Sequence, residues 1–323
     1  MARRAGAAEH VDRNERRPWP ILDLAEPIAQ RPVVQNPASK HHYVPIFYSK
    51  RWADDAGEVV RFTVENCRLI DRRVHPARVG WQRDLYRIPG ETGDASQRLE
   101  TLFFSQLDGN AADVLRKLLS TPIKYLNDLD VGHWSMFIRS LMLRSPENLA
   151  SYQGRGLTVW RGVVRGAADK YMDVRTDDDP PTHAEYVATR TITEGRAHVL
   201  ETLPHLLASS GVLERLARAP WQRYDVPPSA PALLLSDAPI VRTNGFDIPD
   251  GHIAMPLSPR RFLLIARDAD TAARLDRIPV KVMVKGLNRS VVSQARRFVV
   301  AHDLSQARFI EKHFATGANA SRP

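Results

Sequence analysis

Cysteine is almost missing from this chain: Cys67 is the single one in 323 residues. One cysteine makes neither an intrachain disulfide nor a cysteine-based zinc site, and it points to a reducing compartment, the cytoplasm. Cys67 itself reads as a small apolar residue of the core. Long hydrophobic runs are missing too. The longest stretches, residues 262–266 and 232–235, are strand-sized and fall far short of the roughly 18 residues that span a bilayer, so no membrane partner is expected. Met1-Ala2-Arg3-Arg4 has no apolar stretch behind it and does not read as a secretory signal. Lysine is scarce, 8 residues against 38 arginines. The phosphate-binding pattern G-x-x-x-x-G-K-[ST], the dinucleotide pattern G-x-G-x-x-G, the zinc-protease pattern H-E-x-x-H and the hydrolase elbow G-x-S-x-G are absent. The four enzyme classes that depend on them lose their support, and no internal repeat is visible.

What is present is ordinary globular composition. Hydrophobic residues make up 43% and charged residues 26%, which excludes a fully disordered or fibrous chain. The length allows one or two domains and a core that needs no staples. Lys+Arg is 46 against 37 Asp+Glu, a net charge of +9. Such a balance suits nucleic acid or an anionic ligand. The arginines are spread along the chain, however, and abundant Arg, Ala and Pro also reflect a GC-rich codon supply.

Residues 1–38 are polar, mixed in charge and rich in proline, and read as a flexible arm. A single α+β domain is expected over 39–313, followed by a flexible tail over 314–323. Residues 59–64 and 67–74 are rich in β-branched residues and predict two strands with a turn at Glu65-Asn66. Residues 84–88 suggest a third. The period then changes. Leu99, Leu102, Phe103, Leu107, Ala111, Val114, Leu115 and Leu118 form one helical stripe, and Trp134, Phe137, Ile138, Leu141 and Met142 another. At Ser145-Pro146-Glu147 a serine can cap, proline suits the first helical position and glutamate favours the dipole, so a third helix starts there and runs to about Tyr171. Helices continue to Pro220. Strand-like stretches return at 221–226, 233–235, 253–257, 261–266 and 280–284, and a last helix begins near Asn288. The expectation is a mixed, mainly antiparallel sheet formed from N- and C-terminal strands, with a helical middle over about 97–219.

Several short motifs, in order, resemble the bacterial domain-of-unknown-function 4238 family. These are His41-His42-Tyr43-Val44-Pro45 followed by Ile46-Phe47-Tyr48 and Trp52, then Leu99-Glu100 and Arg144-Ser145-Pro146. Ser236-Asp237-Ala238-Pro239, Pro256-Leu257-Ser258-Pro259 and an Asn-led C-terminal helix expected over Asn288–Val300 complete the set. The similarity spans residues 40–302. Ala238 departs from the asparagine usual in the family. The family has no assigned activity, so the resemblance transfers no catalytic residue.

The candidate chemistry therefore rests on residue types. Adjacent side chains on an extended segment face opposite ways, so one of His41 and His42 can enter a given pocket. It serves there as general acid or base, or else it is a buried histidine holding the strand. Asp237, at a strand end, orients a histidine, binds a metal or closes an Asp-x-Pro turn; Ser236 precedes it. Arg144, between two helices, is a clamp for phosphate or carboxylate, or an end-cap with an ion pair. Glu100 is a site acid or a solvated helix residue. Asn288 contacts substrate or caps a helix. No spacing defines a metal site, and no cofactor is indicated. Three readings follow: a hydrolase on a phosphate-bearing substrate or nucleic acid, with His41 or His42 as acid or base, Asp237 supporting and Arg144, Ser236, Glu100 and Asn288 binding; a non-catalytic module that binds nucleic acid or protein; or a plain scaffold in which every motif is structural.

Overall fold

A computed structural model describes residues 9–11 and 39–319, apart from 244, 245 and 247. The strands are β1 (Glu9–Val11), β2 (Lys40–His42), β3 (Val59–Glu65), β4 (Arg68–Val74), β5 (Trp81–Arg83), β6 (Trp221–Asp225), β7 (Leu235–Ser236), β8 (Val241–Thr243), β9 (His252–Ser258), β10 (Arg261–Ala266) and β11 (Val299–Ala301). All pairings are antiparallel. One sheet runs β1-β6-β10-β9-β8, a second β4-β3-β11-β7, and β2 and β5 form a two-stranded ribbon. The fold is α+β, with strands from both ends of the chain flanking helices between Gly93 and Arg218. The arm expected over 1–38 lies outside the described residues except for β1, and residues 320–323 of the expected tail lie outside them too.

Strand β10 shows why the sheets sit where they do. Its alternate residues divide between two cores: Leu263 and Ile265 join one, Phe262, Leu264 and Ala266 the other. A strand buried on both faces loses polar alternation and becomes a continuous apolar run, as residues 262–266 are. β11 divides likewise, Val300 to one side and Val299 and Ala301 to the other. The first core is completed by helices Ser105–Ser120, Asp128–Leu143 and Ser210–Arg218, the second by Val280–Ser293. A third cluster joins Tyr86, Leu99 and Phe104 to Leu149, Leu200 and Leu203, seating the far helices on the long one. Each such fully buried side chain contributes about 1.5–3 kcal/mol.

Four local expectations are corrected. Cys67 is exposed, at the β3–β4 turn, where Asn66 and Cys67 both adopt positive φ (50° and 61°). Two successive left-handed residues make the tight turn that suits strand twist, and its side chains point to solvent. Residues 84–88 are a turn; the strand is β5, ending at Arg83 where Asp84 takes φ 52°. Residues 280–284 begin the helix Val280–Ser293 and are not a strand. Their β-branched composition mimics a strand, but Val284, Leu287, Val291 and Val292 recur at helical spacing and are buried. Asn288 therefore lies inside that helix and is not its cap, and the helix expected to reach Val300 ends at Ser293, with Val299–Ala301 in β11. The first stripe is one continuous helical path, Gly93–Arg98, Leu99–Phe104 and Ser105–Ser120, whose middle segment has the wider π-type turn. Such a segment often marks a functional site.

Candidate functional site

The β2–β5 ribbon positions the histidine pair, with His41 opposite Gln82 and His42 opposite Trp81. The carbonyl of Gly80 accepts the N–H groups of both Tyr43 and Val44, at 2.8 and 3.1 Å. Gly80 has φ 61°, and a Cβ there would lie 2.6 Å from the Val44 Cβ, so only glycine fits this crossing.

Alternation along β2 separates the two histidines. His41 is fully buried. Its Nδ1 accepts the Tyr86 N–H at 2.8 Å, and its ring stacks on Tyr86 at 5.4 Å. His41 thus holds the turn after β5. His42 is half-buried and its Nε2 bonds the Ala77 carbonyl at 3.2 Å. Burial holds its pKa below the ordinary value; the Ala77 bond and Asp108 oppose this, and Arg144 adds to it.

Beyond His42 lies a charged cluster. Glu100 and Asp108 come from the same helical path, with Phe104 midway, at i, i+4 and i+8. Arg144, the C-cap that follows the Asp128–Leu143 helix, is 1% exposed. Its guanidinium binds Asp108 through two bonds of 2.7 and 3.2 Å and lies 4.4 Å from the Phe104 ring centroid. Its carbonyl accepts the Tyr86 hydroxyl at 3.0 Å. Asp108 retains 23% side-chain exposure, so the cluster reaches water at that edge. Burial raises Asp108 above the usual carboxylate range despite Arg144. Glu100 is pushed up to about 7, first by burial and then by the Asp108 charge, against the pull of Arg144 and the His42 main-chain N–H. Its Oε2 is buried without a hydrogen-bond partner among the described residues. Half-protonated carboxyl and neutral imidazole near pH 7 can donate and accept protons.

Tyr43 looks the other way. It packs on Phe298 at 6.4 Å, 6.0 Å from the Arg297 guanidinium, and burial raises its phenol, with the nearby Asp237 charge adding to that. Arg297 pairs with Glu147 at 2.6 Å. The helix junction therefore contributes Arg144 to one cluster and Glu147 to the other. Asp237 does not orient a histidine. Its carboxyl, raised to about 6 by burial, accepts the main-chain N–H groups of Arg296, Arg297 and Phe298 at 3.1–3.4 Å. Ser236 is fully buried and its Oγ accepts the Ala238 N–H at 3.2 Å, a local turn. Asn288, 1% exposed, bridges helix and loop: its Oδ1 accepts the Leu234 N–H at 3.0 Å, and its Nδ2 donates to the Ala232 carbonyl at 2.8 Å and to Gln306 at 3.1 Å. Arg144 does sit at the junction, which Ser145 caps through the Asn148 N–H at 3.3 Å, and the carboxylate it holds is the chain's own Asp108.

The structure thus brings together His42, Glu100 and Arg144, and it sets His41, Ser236, Asp237 and Asn288 into main-chain bonds elsewhere. Asp108 was missed by the sequence reading. Its signal was a second polar position, with Glu100, beside an otherwise apolar stripe. Among the described residues no group of three His, Cys, Asp or Glu side chains is placed to hold a metal ion, and no helix is long and apolar enough to cross a membrane.

The model of the protein family of unknown function DUF4238 matches residues 40–305, which covers every residue of this cluster. No curated protein and no solved structure matches the chain. The chain belongs to the DUF4238 family.

Proposed function

We propose that this DUF4238 member is an acid–base hydrolase of phosphoester substrates, with His42 and Glu100 as the proton-transferring pair. The observation that carries the reading is Glu100, a half-buried carboxyl with a pKa of about 7 bonded to the His42 main-chain N–H, in a cluster where burial also holds the His42 imidazole below its ordinary value. Perturbed titratable groups of complementary sense in one pocket are the usual mark of acid–base sites. Neutral His42 takes a proton from water as the water attacks phosphorus. Protonated Glu100 gives its proton to the departing alkoxide. From a diester the products are an alcohol and a phosphate monoester, and the proton on His42 returns through solvent to Glu100. Arg144, fixed by Asp108 and Phe104, supplies a positive field that costs no reorganisation. Lys40 and Arg83, exposed and opposite each other on the ribbon, offer charge to an anionic substrate. The single cysteine fits a bacterial cytoplasm.

One observation favours the non-catalytic binding module instead: Arg144 is already neutralised by Asp108. Turnover separates the two. The full chain should hydrolyse bis(p-nitrophenyl) phosphate or oligonucleotides with a bell-shaped pH profile. The rate should fall above about 7 as Glu100 ionises, and on the acid side only below the ordinary histidine range, as His42 protonates. Glu100→Gln and His42→Gln should each lose about 10²–10⁴-fold. No turnover of any phosphoester, or full turnover in Glu100→Gln, overturns the enzymatic reading.

A further inference from the structure

Helix Pro146–Gly166 meets helix Ile192–Glu201 through two glycines. A Cβ on Gly156 would lie 2.6 Å from a Val199 methyl, and one on Gly195 would lie 2.6 Å from both Leu157 and the Trp160 ring. The helices touch at backbone distance there, and the Trp160 indole is held in place by that contact. Beside it lies a cavity of about 340 Å³. Its apolar wall is Trp160, Val164 and Ile192; its polar side is Arg161, Arg165 and Arg190.

The arginines of this face outnumber their ion-pair partners. Arg161 and Arg165 lie one turn apart on the same helix side, and neither has an acidic partner among the described residues. Like charges at this spacing destabilise a helix. Arg190 faces them from the neighbouring segment. Its nearest carboxylate is Glu194 at 3.6 Å, with Asp179 close enough to feel its charge, and its Nε is buried without a hydrogen-bond partner. Its guanidinium lies 4.2 Å from the Tyr186 ring centroid, which fixes its direction. Three arginines thus line one small cavity together with Trp160. The guanidinium fork matches phosphate oxygens, and an indole face accepts an aromatic base.

We propose that this cavity binds a nucleoside monophosphate, with the base against Trp160, Val164 and Ile192 and the phosphate held by Arg161, Arg165 and Arg190. The volume lies at the small end of the range for ligand sites, about 300–1,000 Å³, and suits one nucleotide rather than an oligonucleotide. The site shares no residue with the His42–Glu100 cluster and stands or falls separately from it.

Equilibrium dialysis of the full chain against AMP, GMP, CMP and UMP, with adenosine and inorganic phosphate as partial probes, tests the assignment. At least one nucleotide should bind with a Kd below about 1 mM, and each partial probe should bind at least about tenfold more weakly. Arg161→Gln and Arg165→Gln, both at exposed positions, should each weaken binding about tenfold without lowering the melting temperature. Trp160→Leu should weaken it comparably, and the arginine variants keep the test decisive if that one fails to fold. No nucleotide binding at 1 mM, affinity unchanged in Arg161→Gln and Arg165→Gln, or inorganic phosphate binding as tightly as the nucleotide each overturns the proposal.

Discussion

Replacing Glu100 by glutamine changes one proton and almost no volume, so it isolates the most perturbed group of the cluster. In the folded chain the carboxyl holds its proton up to about 7, against 4.5 for an ordinary glutamate. The folded state then binds more protons than the unfolded state between those values. The contribution to stability is fully present below pH 4.5 and is lost as pH rises through about 7. A displacement from 4.5 to about 7 corresponds to about 3 kcal/mol, and water reaching the half-buried carboxyl reduces this to about 2 kcal/mol. Glutamine carries no such dependence. Urea unfolding of both proteins should give equal stabilities at pH 4.5, with Glu100→Gln more stable by about 2 kcal/mol at pH 8, or about 4 °C in melting temperature. Asp237 also titrates high, near 6, but it is present in both proteins and cancels in the difference. Parallel stability curves from pH 5 to 8 would refute the idea that burial dominates at Glu100. A wild type more stable than Glu100→Gln at pH 8 would mean that Arg144 outweighs desolvation.

Arg144→Met strands Asp108 in a site that favours its neutral form, and the variant should lose about 3 kcal/mol in urea unfolding; adding Asp108→Leu should restore most of that, whereas additive losses would deny the coupling. Asp237→Ala leaves the N–H groups of Arg296, Arg297 and Phe298 without their acceptor, so thermal unfolding should show a loss of about 3 kcal/mol, and a loss under 1 kcal/mol would mean water replaces the carboxyl. Gly80→Ala forces a side chain into the Val44 contact at φ 61° and should cost about 2–4 kcal/mol by denaturant titration; a neutral result would show that the ribbon can shift.

Elements governed by local pattern were the legible ones. The helix caps at Ser145, the stripe through Leu107 and Val114, and the β3–β4 hairpin follow from period, caps and turn residues within a few positions. Residues 280–284 misled because valine favours strands intrinsically, while packing against the second core decides the matter in favour of a helix starting after Pro279. Candidate residues divide along the same line. Arg144 was recognisable as a helix-junction residue, but its partner lies 36 positions earlier. Asp237 and Asn288 stood out as polar residues among apolar neighbours, yet what they bond is main chain about 60 and 54 positions away.

The sequence alone determined which residues must leave water: a strand whose every residue is apolar has to be covered on both faces, and a stripe at helical period has to find a core. It also determined where a side-chain-capped helix such as Pro146–Gly166 starts, because caps act on N–H groups within one turn. Which of two adjacent histidines faces a charge, and whether a glutamate is an acid near neutrality, was decided only by the tertiary structure. Both depend on desolvation and on distances of a few ångströms between groups far apart in the chain. The pattern placed Glu100 beside an apolar stripe; burial in the folded chain, with the Asp108 charge adding to it and Arg144 and the His42 main-chain N–H opposing it, made it a group that titrates at about 7.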